Sequence, residues 1–251
     1  MATTQYLGTN LEFTLTVTGS SVSMLASSRH FFKRAASSYQ LLNPNVQASI
    51  SIADHHQELV SLFQSAYLPF EPLIRSLVTK SHVSENDALR WIKHLITCFG
   101  ANSRSIVARN VRDPASGLVG ASICFLTSEQ GHLPWVPPDS PEPLKSVQLV
   151  FEQLELNIDS SRAMRIGAMC VDQRKGVAGV ASTIIEKSVN IARASGCDLV
   201  FAHCAGDKAQ STFEKRGFQS FASKPFSQLS SDGKFLLPDV EDEIHVMGLS
   251  L

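Results

Sequence analysis

The residues best placed by type and spacing to do chemistry together form the run Gln173-Arg174-Lys175-Gly176-Val177-Ala178-Gly179. A tight turn of this kind, opening a helix, aims a row of backbone N–H groups and the positive end of the helix dipole at one point. Such a point binds an anion, most naturally a pyrophosphate. Close approach of the backbone needs small side chains, because a bulky one would stand in the way. Gly176, Ala178 and Gly179 meet that need, and Arg174 and Lys175 suit phosphates electrostatically. The run lacks the G-x-x-x-x-G-K-[ST] of a P-loop and the full G-x-G-x-x-G of a dinucleotide fold. By residue type alone an ordinary surface loop is the alternative, so the flanking elements decide.

Those elements read as an apolar strand ending near Val171, a helix from about Ala178 to Ala194 closed by Gly196, and an apolar strand from Leu199 to Cys204. Upstream, Val46 to Ile52 alternates as a first strand, and Asp54 is a plausible cap for a helix running to about Leu68. Pro69 and Pro72 break that helix. A second helix starts near Ser84 and stops at Gly100. Arg104 to Val111 and Leu118 to Thr127 form a hairpin about the turn Asp113-Pro114-Ala115-Ser116-Gly117. After a proline-rich loop, a helix covers Leu144 to Glu155, with Pro143 suited to its first turn. A short helix at Gln210 to Lys215 and a last strand from Glu243 to Leu251 complete the order β α α β β α β α β α β. That order predicts an α/β fold with a mixed central β-sheet flanked by helices.

Composition narrows the class. With 43% hydrophobic and 18% charged residues, the chain fits a soluble globular protein. A formal net charge of −1 gives no reason to expect a nucleic-acid partner. No apolar run reaches the roughly 18 residues of a membrane span. The five cysteines are odd in number and none share C-x-x-C spacing, so neither disulfides nor a metal site are expected, and a reducing compartment fits best. Residues 1–45 differ from the rest. Between Met1 and Ala53 the only acid is Glu12, and Ser20 to Ser38 is rich in Ser and Ala with Arg29, Lys33 and Arg34. This segment is expected to be a disordered tail or a presequence, with Met24 an internal start; the matching locations are cytoplasmic, or mitochondrial. Residues 46–251 form the expected domain.

The Gln-x-x-Gly-x-Ala spacing at Gln173, with Phe213-Glu214-Lys215-Arg216-Gly217-Phe218 downstream, resembles the acetyl-CoA-binding core of the GNAT superfamily of N-acetyltransferases. Tyr67-Leu68-Pro69-Phe70-Glu71-Pro72-Leu73 resembles the acidic-Pro-Leu motif of its arylalkylamine N-acetyltransferase-like branch in insects and nematodes, and Cys204 and the closing His245-Val246-Met247 add to the match. The resemblance spans roughly Val46 to Leu251. It implies the GNAT fold, with the cofactor lying between splayed strands four and five, and acetyl-CoA as co-substrate with no metal. It implies that backbone around Gln173, Arg174, Lys175, Gly176, Val177, Ala178 and Gly179 holds the pyrophosphate. Glu71 becomes the general base, working through ordered water. The oxyanion donor becomes a strand N–H, at Cys170 or Val171 depending on the register of the turn.

The resemblance breaks at the proton donor. Many enzymes of the superfamily have Tyr where this chain has Phe213, and the insect branch has serines where this chain has Ala205 and Ala209. Gly206 replaces a common Asn. The expected activity is transfer of acetyl to a small primary amine of arylalkylamine type, by direct attack of the amine on the thioester. Polyamines or protein lysine are alternative acceptors, and a non-catalytic acyl-CoA-binding relative is the rival. Phe63, Tyr67, Phe70, Trp91 and Trp135 are candidates for an aromatic lining.

Overall fold

Amphipathic helices and apolar strands alternate along the chain, and each buries its apolar stripe against a single sheet. The computed structural model describes residues 46–49, 55–80, 82–100, 104–130, 135–156, 158, 162–231 and 233–251. The expectations for residues 1–45, and for Asp54 as a cap, lie outside the described residues. The chain begins with β1 (Val46–Ser49), α1 (His56–Ala66), α2 (Pro72–Thr79) and α3 (Glu85–Phe99). It continues with β2 (Ile106–Asn110), β3 (Leu118–Leu126), the single turn α4 (Thr127–Gln130), α5 (Glu142–Leu154) and β4 (Ala163–Val171). Then follow α6 (Val180–Ala194), β5 (Leu199–Ala205), α7 (Asp207–Glu214), β6 (Gln219–Pro225), the short pair β7 (Ser230–Ser231) and β8 (Lys234–Phe235), and β9 (Glu243–Ser250). Several boundaries follow from local chemistry. Ser84 caps α3 by accepting the Asp87 N–H at 3.1 Å, and Gly100 caps its other end.

Several elements depart from the sequence-based expectation. Pro72 opens a helix rather than ending one, because proline's missing N–H costs nothing at a first helical position. β6 reads Gln-Ser-Phe-Ala-Ser-Lys-Pro, with no apolar alternation; it lies at the edge of the sheet with mostly exposed side chains, so no buried face imposes a pattern. The β7–β8 pair is too short to leave a periodicity.

Among the described residues the sheet has seven strands in the order β1-β2-β3-β4-β5-β9-β6, and every neighbouring pair is antiparallel except β4 with β5. One face packs under α1, α2, α3 and α5, with Leu59, Phe63, Leu77, Ile92 and Leu95 among the fully buried side chains. The other face packs under α6 and α7 through Val180, Ile184, Ile185, Val189 and Phe213. Each such side chain contributes about 1.5–3 kcal/mol on burial. α6 lies close to β3, because Gly120 has no Cβ: one placed there would stand 2.7 Å from Val180 Cγ1 and 2.9 Å from Ile184 Cδ1. Gly120 thereby sets the height of the α6 N-terminus above the sheet.

β4 and β5 pair only from Ala163↔Leu199 to Ile166↔Ala202. Beyond that, β4 stays with β3 as far as Gly120↔Val171, while β5 stays with β9 as far as Ala205↔Ile244. The two strands part into a gap open at their C-terminal ends. The parting begins at a β-bulge. Ile123 faces Ala168 and Cys124 faces Ile166, so Gly167 is the extra residue. A bulge bends its strand and increases the twist. Only glycine fits there, since a Cβ on residue 167 would stand 2.6 Å from the ring of Phe125, itself 1% exposed.

Below the gap, a buried polar cluster ties β4 and β5 to the end of α5. The Arg165 guanidinium lies 3.2 Å from the centroid of the Trp135 ring and pairs with Glu155. His203 Nε2 is 3.0 Å from Glu155 Oε1, and the imidazole stacks on Phe151 at 4.1 Å with 7° between the planes. Burial, and then the charge of Arg165, push the His203 pKa well below its ordinary value. His203 is thus a neutral histidine of the core.

Replacing Gly167 by Ala should destabilise the protein by about 1–3 kcal/mol, the range for overpacking a tight interior. Urea denaturation followed by tryptophan fluorescence measures it; an unchanged midpoint would show that the bulge has room to spare.

Candidate functional site

The turn after β4 is built by Asp172 and two glycines. The Asp172 N–H donates to Val119 O at 2.9 Å, so the aspartate still belongs to the β3 side of β4. Its carboxylate accepts the Arg174 N–H at 3.1 Å, Arg174 Nε at 2.8 Å and Arg174 Nη2 at 2.9 Å. Those bonds hold the Asp172 pKa below its ordinary value. Gln173–Lys175 forms one 3-10 turn, and Gly176 (φ +63) and Gly179 (φ +76) then take left-handed conformations that other residues adopt at a cost. Gly179 is the N-cap of α6 and offers no side chain to it. The first N–H groups of α6 therefore lack the partners that a capping side chain would give. The N–H groups of Val177 and Gly179 also have no acceptor among the described residues. At Gly176, a notional Cβ would meet no atom of the described residues within 4 Å, its chain neighbours aside. Converging donors, a helix N-terminus and open space fit an anionic diphosphate.

The two cations of the turn face elsewhere. Besides binding Asp172, Arg174 Nη2 donates to Ser65 Oγ on α1 at 3.1 Å. Lys175 Nζ donates to Ser116 O at 2.5 Å and Leu118 O at 2.8 Å, on the hairpin that leads into β3. Both side chains brace the turn from behind. Their acceptors are the Asp172 carboxylate, the Ser65 hydroxyl and the carbonyls of Ser116 and Leu118.

Within the gap, backbone direction is fixed by alternation. Successive residues of a strand turn their N–H groups to opposite sides. Since the Asp172 N–H points to β3, that of Cys170 does too, while those of Met169 and Val171 point into the gap.

The corner between α1 and α2 lies over this gap. Tyr67 O accepts the N–H groups of Phe70 at 2.9 Å and Glu71 at 2.8 Å, which makes the corner tight. Glu71 is the N-cap of α2, and its Oε2 accepts the Ile74 N–H at 2.6 Å. Between them, α1 and the corner touch both walls: Cys170 Sγ of β4 lies 3.9 Å from Leu62 O of α1, and Pro72 Cγ lies 3.2 Å from where Gly206, after β5, would carry a Cβ. Burial raises the Glu71 pKa to about 7, although the Ile74 and Leu73 N–H groups pull the other way. The carboxyl thus titrates near neutrality.

Tyr67 shares that pocket. Its pKa is raised well above the ordinary value, first by burial and then by the charges of Glu71, Cys170 and Cys204. The ring packs against the core cluster that includes Cys170 of β4, and the phenol stays protonated. Burial also pushes the thiols of Cys170 and Cys204 up to about 12, so neither is a thiolate near neutral pH and neither is a nucleophile. Across the gap, Phe213 is 3% exposed and packs edge-on against Phe218 at 4.9 Å, turned into the core under α7. Lys208, in the first turn of α7, donates from Nζ to Gln173 Oε1 at 2.7 Å. Sequence reasoning gave Tyr67 only an aromatic role and passed over Lys208 and Gly167. A hydroxyl four residues before Glu71, and a glycine inside an apolar strand, were the available signals. Among the described residues no cluster of His, Cys, Asp and Glu could hold a metal ion, and no helix is long and apolar enough to cross a membrane.

No protein-family model matches the chain, and no curated protein matches its sequence. Solved structures share its fold. The C-terminal condensation domain of Ebony, solved in complex with β-alanyl-dopamine, superposes with a TM-score of 0.69 at 14% identity, over 84% of this chain and 100% of that one. A putative arylalkylamine N-acetyltransferase 7 from the yellow fever mosquito Aedes aegypti gives 0.66 at 16% identity, over 82% and 87% of the two chains. The Drosophila melanogaster polyamine N-acetyltransferase gives 0.58 at 15% identity, over 82% and 100%. The chain shares the fold of these structures, two of which are named as N-acetyltransferases, and this is the fold that the resemblance implied.

The Glu71 titration should be visible in stability. Its folded pKa lies above the ordinary 4.5, so between about pH 4.5 and 7 the folded state holds a proton that the unfolded state has lost. This contribution is full below pH 4.5 and is lost as pH rises through 7. Glu71→Gln should remove that fall, read as a flatter difference curve in denaturation midpoints from pH 4 to 8.

Proposed function

We propose that this chain is an acetyl-CoA-dependent N-acetyltransferase acting on a small primary amine of arylalkylamine type. The observation that carries the reading is a carboxyl with a pKa of about 7, held over a strand gap whose outer end leads into the N-terminus of α6, where no side chain caps the first N–H groups. The names of the structural neighbours, which include arylalkylamine and polyamine N-acetyltransferases, support an amine acceptor. Phe70 beside Glu71 is 64% exposed, which favours an aromatic acceptor over a polycationic one.

Acetyl-CoA supplies the acetyl group as a thioester. The N–H groups of Val177, Gly179 and the first turn of α6 hold the pyrophosphate, and the N–H of Val171, pointing into the gap, donates to the thioester oxygen as charge develops. Of the N–H groups of Cys170 and Val171, that of Val171 has the direction for this. Glu71 removes a proton from the amine, directly or through water, because a protonated amine (pKa near ~10 for Lys-like groups) has no lone pair. The amine nitrogen bonds to the acetyl carbon, the C–S bond breaks, and the electron pair leaves on sulfur. Tyr67, which is neutral, donates a hydrogen bond to that sulfur. It fills the role left by Phe213, Ala205 and Ala209. Full proton transfer is unnecessary, since a thiolate with a pKa near ~8.5 leaves unaided.

Incubation with acetyl-CoA and a panel of amines, followed by free-thiol release, tests the proposal. Release should be greatest with arylalkylamines, and kcat/KM should rise with pH through about 7 and level off, as Glu71 ionises. Glu71→Ala should cost about 10²–10⁴ in kcat/KM, the usual worth of a general base. Thermal stabilisation by CoA without thiol release from any amine would favour the acyl-CoA-binding rival instead.

Gly176→Leu should weaken CoA binding by about tenfold or more, because the side chain would enter the open face of the turn and strain a φ of +63. Isothermal titration calorimetry reads this directly, and unchanged affinity would remove the turn from the site.

A further inference from the structure

We infer that Lys208 is a phosphate-binding residue of the cofactor site, held in wait by Gln173 until an anion displaces the amide. The inference rests on the acetyl-CoA reading above. The turn that fits a diphosphate has two cations of its own, and both are turned away: Arg174 onto Asp172 and Ser65, Lys175 onto the carbonyls of Ser116 and Leu118. The charge needed at the mouth must come from another element.

Lys208 supplies it from the opposite lip. The turn follows β4 and α7 follows β5, so the 2.7 Å contact from Lys208 Nζ to Gln173 Oε1 crosses the gap at its outer end. The ammonium therefore lies on the rim of the N–H turn. Its acceptor is a neutral amide on an exposed side chain. A phosphate oxygen is the stronger acceptor, because bonds between ionised partners are roughly twice as strong as those with a neutral one. Asp207 is the acid in the first turn of α7, and it does not pair with Lys208. The lysine can leave Gln173 by rotating flexible bonds alone, with no rearrangement of the backbone. Coenzyme A offers two phosphate groups of this chemistry, the pyrophosphate and the ribose 3′-phosphate.

Calorimetric titration of the full chain with CoA and with dephospho-CoA, which lacks the 3′-phosphate, tests this. Lys208→Ala should bind CoA about three- to tenfold more weakly than wild type at low salt, with the difference shrinking as ionic strength rises. Lys208→Arg should keep most of the affinity. Gln173→Ala, which frees the lysine, should bind as tightly as wild type or more so. A penalty for Lys208→Ala that persists with dephospho-CoA supports contact with the pyrophosphate; one that disappears supports contact with the 3′-phosphate. Wild-type affinity in Lys208→Ala at low salt overturns the inference while leaving the acetyltransferase reading intact. A wild-type chain that binds no CoA overturns both.

Discussion

Everything at the proposed site depends on β4 being unable to follow β5. The extra residue at Gly167 bends β4 where its pairing with β5 stops, and the ring of Phe125 fills the space that a side chain would need. β4 cannot straighten, because its far half is committed to β3 as far as Val171. β5 cannot follow it, because β9 holds it as far as Ala205. Two strands with full hydrogen-bonding on their outer edges are thus left with unpaired inner edges. Backbone groups that face a gap need partners, and a ligand with amide groups along its length is the natural one to supply them.

The rest of the site is arranged around that opening. Gly120 sets the height of α6, Asp172 and the two left-handed glycines set its first turn, and Lys175 fastens the turn to the β2–β3 hairpin. Between them, α1 and the α1–α2 corner close the other side by touching β4, the turn and the residue after β5. Glu71 then carries two opposed influences. As a helix cap it accepts an N–H bond that favours its charge, and as a half-buried group it loses water. The loss of water is the larger, so the carboxyl ends near neutrality rather than near the pKa of an exposed glutamate. A cap that doubles as a base is fixed in direction by the helix it starts.

Much of this arrangement is legible in the residues. The strand, turn and helix about Gln173 follow from local pattern and glycine placement, which act over a few residues. α3 announces itself through Ser84, its apolar stripe and Gly100. What escapes is what depends on partners distant in sequence. The bulge at Gly167 exists because of Phe125, and the ends of β4 and β5 part because of β3 and β9. β6 borrows its conformation from β9 and shows no pattern of its own. Arg174 and Lys175 look like phosphate ligands until Asp172, Ser116 and Leu118 are seen to hold them. Pro72 reads as a breaker because the same residue suits a helix start as well as a helix end. The shift of Glu71 is invisible in sequence, since burial is set by tertiary packing and not by its neighbours in the chain.

The central claim is that the gap between β4 and β5 receives the thioester arm while the turn holds the diphosphate. A crystal structure with bound CoA tests it most directly. The account predicts the pantetheine arm lying between Val171 and Ala205, with its sulfur end near Glu71 and Tyr67 and its diphosphate on the N–H groups of Val177, Gly179 and the first turn of α6. CoA bound elsewhere on the protein, or β4 and β5 found zipped together beyond Ile166 and Ala202, would contradict it.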